Sequence, residues 1–155
     1  MKNVQVLQTG ESAPAQARCQ ASPSNRILVV DDDRDLRLLS ADVLVGSGYQ
    51  VDTAADGAAG WEALHTKSYD LLITDNSMPK LSGVELVKKL RSAHMALPVI
   101  LASGAMPTEE LDRHPWLQLA ATLVKPFSTG QLLETVNEVL SQPTVPAATP
   151  SSASR

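Results

Sequence analysis

The sequence predicts an α/β fold in which five parallel strands form one sheet with helices on both faces. Two observations carry this prediction. Short apolar runs alternate with amphipathic stretches through the middle of the chain, the pattern of repeated strand–helix–strand units joined by right-handed crossovers. The run Leu71–Thr74 is apolar or β-branched throughout, as a strand buried on both faces of a parallel sheet must be.

Composition sets the frame for these elements. A chain of 155 residues with 43% hydrophobic content fits one domain with a single core. Residues 1 to about 24 are rich in Gln, Ser, Ala and Pro without sustained periodicity, and Gln142 to Arg155 carries Pro143, Pro146 and Pro150 among Ser, Thr and Ala. Both segments are expected to be disordered arms, leaving a folded unit of roughly 25–141. The proline-rich end is read as a sign that no effector follows. A net charge of -4 offers no basic patch for nucleic acid or an anionic membrane, so direct DNA binding is not expected. The single cysteine, Cys19, excludes an intrachain disulfide, and no apolar run is long enough for a signal peptide or a membrane span. A soluble protein in a reducing cytoplasm is the expectation, with no membrane partner, as a monomer or weak dimer.

The first strand, Ile27–Val30, runs into three acids, Asp31, Asp32 and Asp33. A helix follows through about Val45, with Leu36, Leu39 and Val43 at helical spacing and Gly46 and Gly48 closing it. Val51–Ala54 is the second strand, and Gly57 to about Lys67 is a helix with Trp61 and Leu64 on its inner side. The third strand ends on Asp75 and enters a loop stopped by Pro79. Gly83 opens a helix whose Val84, Val87 and Leu90 face inward while Lys88, Lys89 and Arg91 stay in water. Val99–Ala102 is the fourth strand, ending on Ser103-Gly104. The segment Thr108 to about Arg113 starts with acids suited to a helix N-terminus, and Pro115 cuts it short. Ala121–Val124 is the fifth strand, ending on Lys125-Pro126-Phe127. Ser128 and Gln131 form a capping box for a last helix that buries Leu132, Val136 and Leu140.

A parallel sheet brings the carboxyl ends of all its strands to one edge, where ligands of open α/β sheets bind. That edge collects Asp31 and Asp32 after the first strand, Asp75 after the third, Ser103 after the fourth and Lys125 after the fifth. Three clustered carboxylates repel unless a cation compensates, and a hard divalent ion such as Mg²⁺ takes one or two carboxylates, waters and a phosphate. Asp32 and Asp75 are then direct ligands, Asp31 acts through bound water, and a main-chain carbonyl at Ser77 completes the set. With the metal and Lys125 neutralising phosphate oxygens, Asp75 can act as a nucleophile that accepts a phosphoryl group. The Ser103 hydroxyl can bond a newly installed phosphoryl oxygen and so bias a conformational equilibrium.

On these residues the sequence resembles the receiver domain of two-component response regulators. The resemblance rests on Val29-Val30-Asp31-Asp32-Asp33, Thr74-Asp75 through Met78-Pro79 and Gly83, Ala102-Ser103-Gly104, and Lys125-Pro126-Phe127. It covers about residues 26–141. It implies a flavodoxin-like fold with strand order 2-1-3-4-5, dependence on Mg²⁺, and phosphate transfer to Asp75 from a histidine kinase or phosphotransfer protein. A cis Lys125-Pro126 bond and an as yet unspecified downstream protein target are further implications.

The sequence departs from the family pattern in two places. Thr122 stands three residues before Lys125, where many receivers carry an aromatic residue that rotates inward on activation. Ser77 and Ala105 stand where some receivers orient hydrolytic water, and neither side chain does this well, so slow decay of the aspartyl phosphate is expected.

Other readings are weaker. The acids at 31, 33 and 35 mimic a calcium loop, but Leu36 replaces the turn glycine and Asp42 the bidentate glutamate. A metal-dependent phosphatase with an aspartyl nucleophile would show Asp-x-Asp, where this chain has Asp75-Asn76-Ser77. A receiver-shaped module that is never phosphorylated should have lost one of the five polar positions, and all are present. His65, His94 and His114 match no metal spacing and are read as surface residues, and Trp116 as packing.

Overall fold

The computed structural model describes residues 25–141. Both proposed arms, with Cys19, lie outside the described residues. The elements alternate as expected: β1 (Arg26–Val30), α1 (Arg34–Gly46), β2 (Gln50–Ala54), α2 (Gly57–Thr66), β3 (Leu71–Asp75), α3 (Gly83–Ser92), β4 (Val99–Ser103), α4 (Thr108–Arg113), a 3₁₀ turn at Pro115–Leu117, β5 (Ala121–Val124) and α5 (Thr129–Ser141). All neighbouring strands are parallel, in the order β2-β1-β3-β4-β5.

Alternation along the central strands divides the core between the two faces. Leu28, Val30, Leu72, Val99 and Leu101 pack with Leu64 of α2 and Val84, Val87 and Leu90 of α3. Ile27, Val29, Leu71, Ile73, Ile100 and Leu123 pack with Leu44 of α1 and Leu132 and Val136 of α5. Period-two alternation sends successive side chains to opposite faces, and both sets are apolar because both faces are covered.

Side-chain caps fix where the helices begin. Asp33 accepts from the N–H of Asp35 and of Leu36 at the start of α1, and Asp56 accepts from Ala59 at the start of α2. Ser82 and Glu85 form a capping box on α3, and Ser128 and Gln131 form the expected one at α5. Each such cap satisfies N–H groups that have no partner within the helix and contributes about 1 kcal/mol. At the other end of α1, Gly48 takes φ +100°, a left-handed conformation that favours glycine.

Four expectations need correction. Helix α1 is rotated from the anticipated stripe: Leu39 is 50% exposed, and Ser40 is buried beside Leu44. Leu44 packs with Leu132 and Val136 of α5 over the sheet, which turns the Leu44 side of α1 inward. Secondly, Arg91 is not a solvated residue of α3. Its guanidinium donates to the carbonyls of Leu117, Met95, Leu97 and Gln118 at 2.8–3.2 Å, and burial lowers its pKa. Thirdly, Lys88 is engaged with Glu110 at 2.9 Å, tying α3 to α4. Finally, Trp116 is largely exposed, edge-on to His114, because the 3₁₀ turn buries Leu117 in its place.

Candidate functional site

The last residues of β1, β3, β4 and β5 and those that follow them form one cluster on the carboxyl edge of the sheet. Asp31 extends β1 by one further bond, its N–H donating to the Ala54 carbonyl at 3.1 Å. Its Oδ1 accepts from the N–H of Asp33, and its carbonyl accepts from the Arg37 guanidinium at 2.8 Å. These bonds hold a buried carboxylate in a fixed orientation, and the Arg37 contact has no signature in the sequence. Asp32 is exposed beside it. Asp75 is the final residue of β3, in register with Ala102 and buried.

Lys125 joins the two buried acids. Its Nζ lies 3.1 Å from Asp31 Oδ2 and 3.1 Å from Asp75 Oδ1. The main chain holds it there: Lys125 N–H donates to the Ser103 carbonyl at 2.9 Å, and the Lys125-Pro126 bond is cis, as the resemblance implied. Ser103 is fully buried, and its hydroxyl is bonded to its own loop, donating to the Ala105 carbonyl and accepting from the Ala105 N–H. Ser77 is exposed two residues beyond Asp75, and its N–H is turned toward the Asp75 carboxylate.

Burial pushes the Asp75 carboxyl above the ordinary carboxylate range. The hydrogen bond from Lys125 opposes this, the Asp31 charge adds to it, and the Ser77 N–H opposes it weakly. For Lys125 burial alone would lower the pKa, but the hydrogen bonds and charges of Asp75 and Asp31 together outweigh it and raise the value. The ammonium is therefore held charged between two carboxylates.

Asp31, Asp32 and Asp75 each offer one carboxylate oxygen, and these oxygens lie within 4.8 Å of one another. An all-oxygen donor set with one exposed member matches the preference of a hard divalent cation that retains water. One ammonium against three carboxylates leaves net negative charge, so the donor set fits Mg²⁺. Of the expected site residues, Asp31, Asp32, Asp75 and Lys125 are brought together directly, whereas Ser103 is at the same edge with its hydroxyl engaged elsewhere. His65 and His94 are exposed and His114 is half-buried.

The chain belongs to the response regulator receiver domain family, whose match spans residues 27–137. It is 34% identical over 119 residues to the alkaline phosphatase synthesis transcriptional regulatory protein PhoP of Bacillus subtilis, covering 76% of this chain and 49% of that protein. It is 39% identical over 118 residues to the transcriptional regulatory protein CpxR of Escherichia coli strain K12, with 75% and 49% covered. The chain thus spans about half the length of the curated relatives it matches. Among solved structures, the chemotaxis response regulator CheY4 of Vibrio cholerae is similar with a TM-score of 0.69 and 31% identity, covering 76% of this chain and 100% of that one.

Proposed function

We propose that the chain accepts a phosphoryl group on Asp75 from a phosphohistidine of a histidine kinase or phosphotransfer protein and signals through phosphorylation-dependent protein contacts. The observation that carries this reading is Lys125 Nζ held 3.1 Å from both Asp31 and Asp75 beside a third carboxylate. A carboxylate oxygen of Asp75 attacks phosphorus; a P–O bond forms as the P–N bond breaks, and the imidazole leaves with the electron pair. Asp31, Asp32, Asp75 and the main-chain carbonyl of Ser77 would hold Mg²⁺, which supplies charge neutralisation at the phosphoryl oxygens. Lys125 supplies a fixed positive charge to the same oxygens without reorganisation.

After transfer, Ser103 can exchange its bond to Ala105 for one to a phosphoryl oxygen. That exchange frees the Ala105 carbonyl and N–H and so couples the modification to the β4–α4 loop. Thr122 is exposed on β5, so this position carries no aromatic ring to turn inward. The chain's net charge of -4 supports protein contact rather than DNA contact. Among the described residues no helix is long and apolar enough to cross a membrane.

The test is incubation with a small phosphodonor and Mg²⁺ and measurement of stoichiometry. One acid-labile phosphoryl group per chain is expected. Continuous release of phosphate from many small esters would instead indicate a phosphatase.

A further inference from the structure

The loop that follows Asp75 is held by a residue outside the five-residue cluster. Asn76 N–H donates to the Ala102 carbonyl at 2.9 Å, which extends the β3–β4 ladder. The Asn76 carbonyl accepts from the N–H of Met78 at 3.0 Å and of Gly83 at 3.1 Å. The side-chain Oδ1 accepts from Val84 N–H at 3.0 Å. Gly83 and Val84 open α3, and the next N–H, of Glu85, goes to Ser82 Oγ. Asn76 thus satisfies two of the first three N–H groups of α3, one through its main chain and one through its side chain.

The peptide linking Asn76 to Ser77 is therefore fixed at its carbonyl end, and the Met78 N–H bond to the same carbonyl fixes the Ser77–Met78 peptide after it. The Asn76 carbonyl is clamped against α3, and a planar trans peptide must direct the Ser77 N–H the opposite way, where it faces Asp75. Gly83 allows this close fit: a Cβ there would lie 2.4 Å from the Asp75 carbonyl and 3.0 Å from Asn76 Cα. Lys80, at φ 72°, and its ion pair to Asp56 close the far side of the loop.

We propose that Asn76 is a positioning residue for phosphoryl acceptance: by bonding Val84 N–H it holds its own carbonyl against Gly83 and Met78, and the Met78 N–H bond to that carbonyl keeps the Ser77–Met78 peptide, whose carbonyl is offered to the cation, in one orientation. This rests on the phosphoacceptor reading given above. Asn76 touches neither the phosphoryl group nor the metal. Its effect is that of an outer partner that orients a ligand, where removal costs about 10-fold or more in metal affinity.

The test uses the full chain and three variants, with calorimetric Mg²⁺ titration, amide hydrogen exchange and phosphodonor labelling. Asn76→Ala is expected to weaken Mg²⁺ binding about 10-fold, to raise the Mg²⁺ concentration for half-maximal labelling in parallel, and to speed exchange at Val84 and Met78. Asn76→Asp keeps an oxygen acceptor and should restore protection of both amides, which its added charge does not imitate. Ser82→Ala removes a different cap from the same helix and should lower thermal stability with unchanged Mg²⁺ affinity. If Asn76→Ala behaves like Ser82→Ala, or Asn76→Asp leaves both amides unprotected, the positioning role is overturned while the phosphoacceptor reading stands. A wild-type chain that takes up no label overturns both.

Discussion

Lys125 stands between two carboxylates that would otherwise repel each other at 4% and 6% exposure. Lys125→Ala should lower the labelling rate by about 100-fold, the scale of losing one fixed charge-stabilising donor, as measured by initial rates at saturating Mg²⁺. Asp75 behaves differently with respect to stability. Its pKa is raised in the folded chain, so the folded state binds this proton more tightly than the unfolded state. Stability at this group falls as pH rises from the ordinary carboxylate range through the raised value, and stays lower above it. Asp75→Asn should therefore raise the Tm at pH 7 in Mg²⁺-free buffer while abolishing labelling, and the gain should vanish below the ordinary carboxylate range. Lys125 has the same sign in a higher pH window: its raised pKa contributes stability that is fully present below its ordinary value of 10.5 and is lost as pH rises through the folded value.

The elements differ in how much of them the sequence reveals. All five strands are legible because apolar runs such as Leu71–Ile73 and Val99–Leu101 are buried on both faces, and helix starts are legible from local caps such as Ser128 with Gln131. The role of Arg91 is hidden from the sequence for a physical reason: two of its four acceptors, Leu117 and Gln118, are 26 and 27 residues away. Local periodicity places its charge on a wet face, whereas tertiary structure brings four main-chain carbonyls to it. Arg91→Ala should cost about 2 kcal/mol in chemical denaturation, since three part-buried carbonyls lose a charged donor, yet it should leave Mg²⁺ affinity unchanged. The inward face of α1 is hidden for a related reason, because Leu44 packs with Leu132 and Val136 of α5, distant in sequence.

At the scale of the whole molecule, parallel topology turns five separate strand ends into one site, and that convergence was readable from the order of motifs alone. The engagement of Ser103 with Ala105 was not, since a buried hydroxyl has several acceptors within reach of any turn. Because Mg²⁺ should bind the folded chain and not the unfolded one, Mg²⁺ at 100 times its Kd should add about 2.7 kcal/mol of stability. Asp32→Asn should remove most of that gain in thermal melts. With Ser77 and Ala105 flanking Asp75 and Ser103, the phosphorylated chain should lose its label slowly when no partner is present. Complete loss within seconds in a chase would contradict this.

The most direct measurement is chemical mapping of the modified side chain. The chain is labelled with a small phosphodonor and Mg²⁺, reduced with borohydride, which converts an aspartyl phosphate to homoserine, and sequenced by mass spectrometry. Homoserine at position 75 alone, absent without Mg²⁺, is expected. Homoserine at 31 or 32 with an unmodified Asp75, or stable phosphate on Ser103, would contradict the assignment of Asp75 as the acceptor.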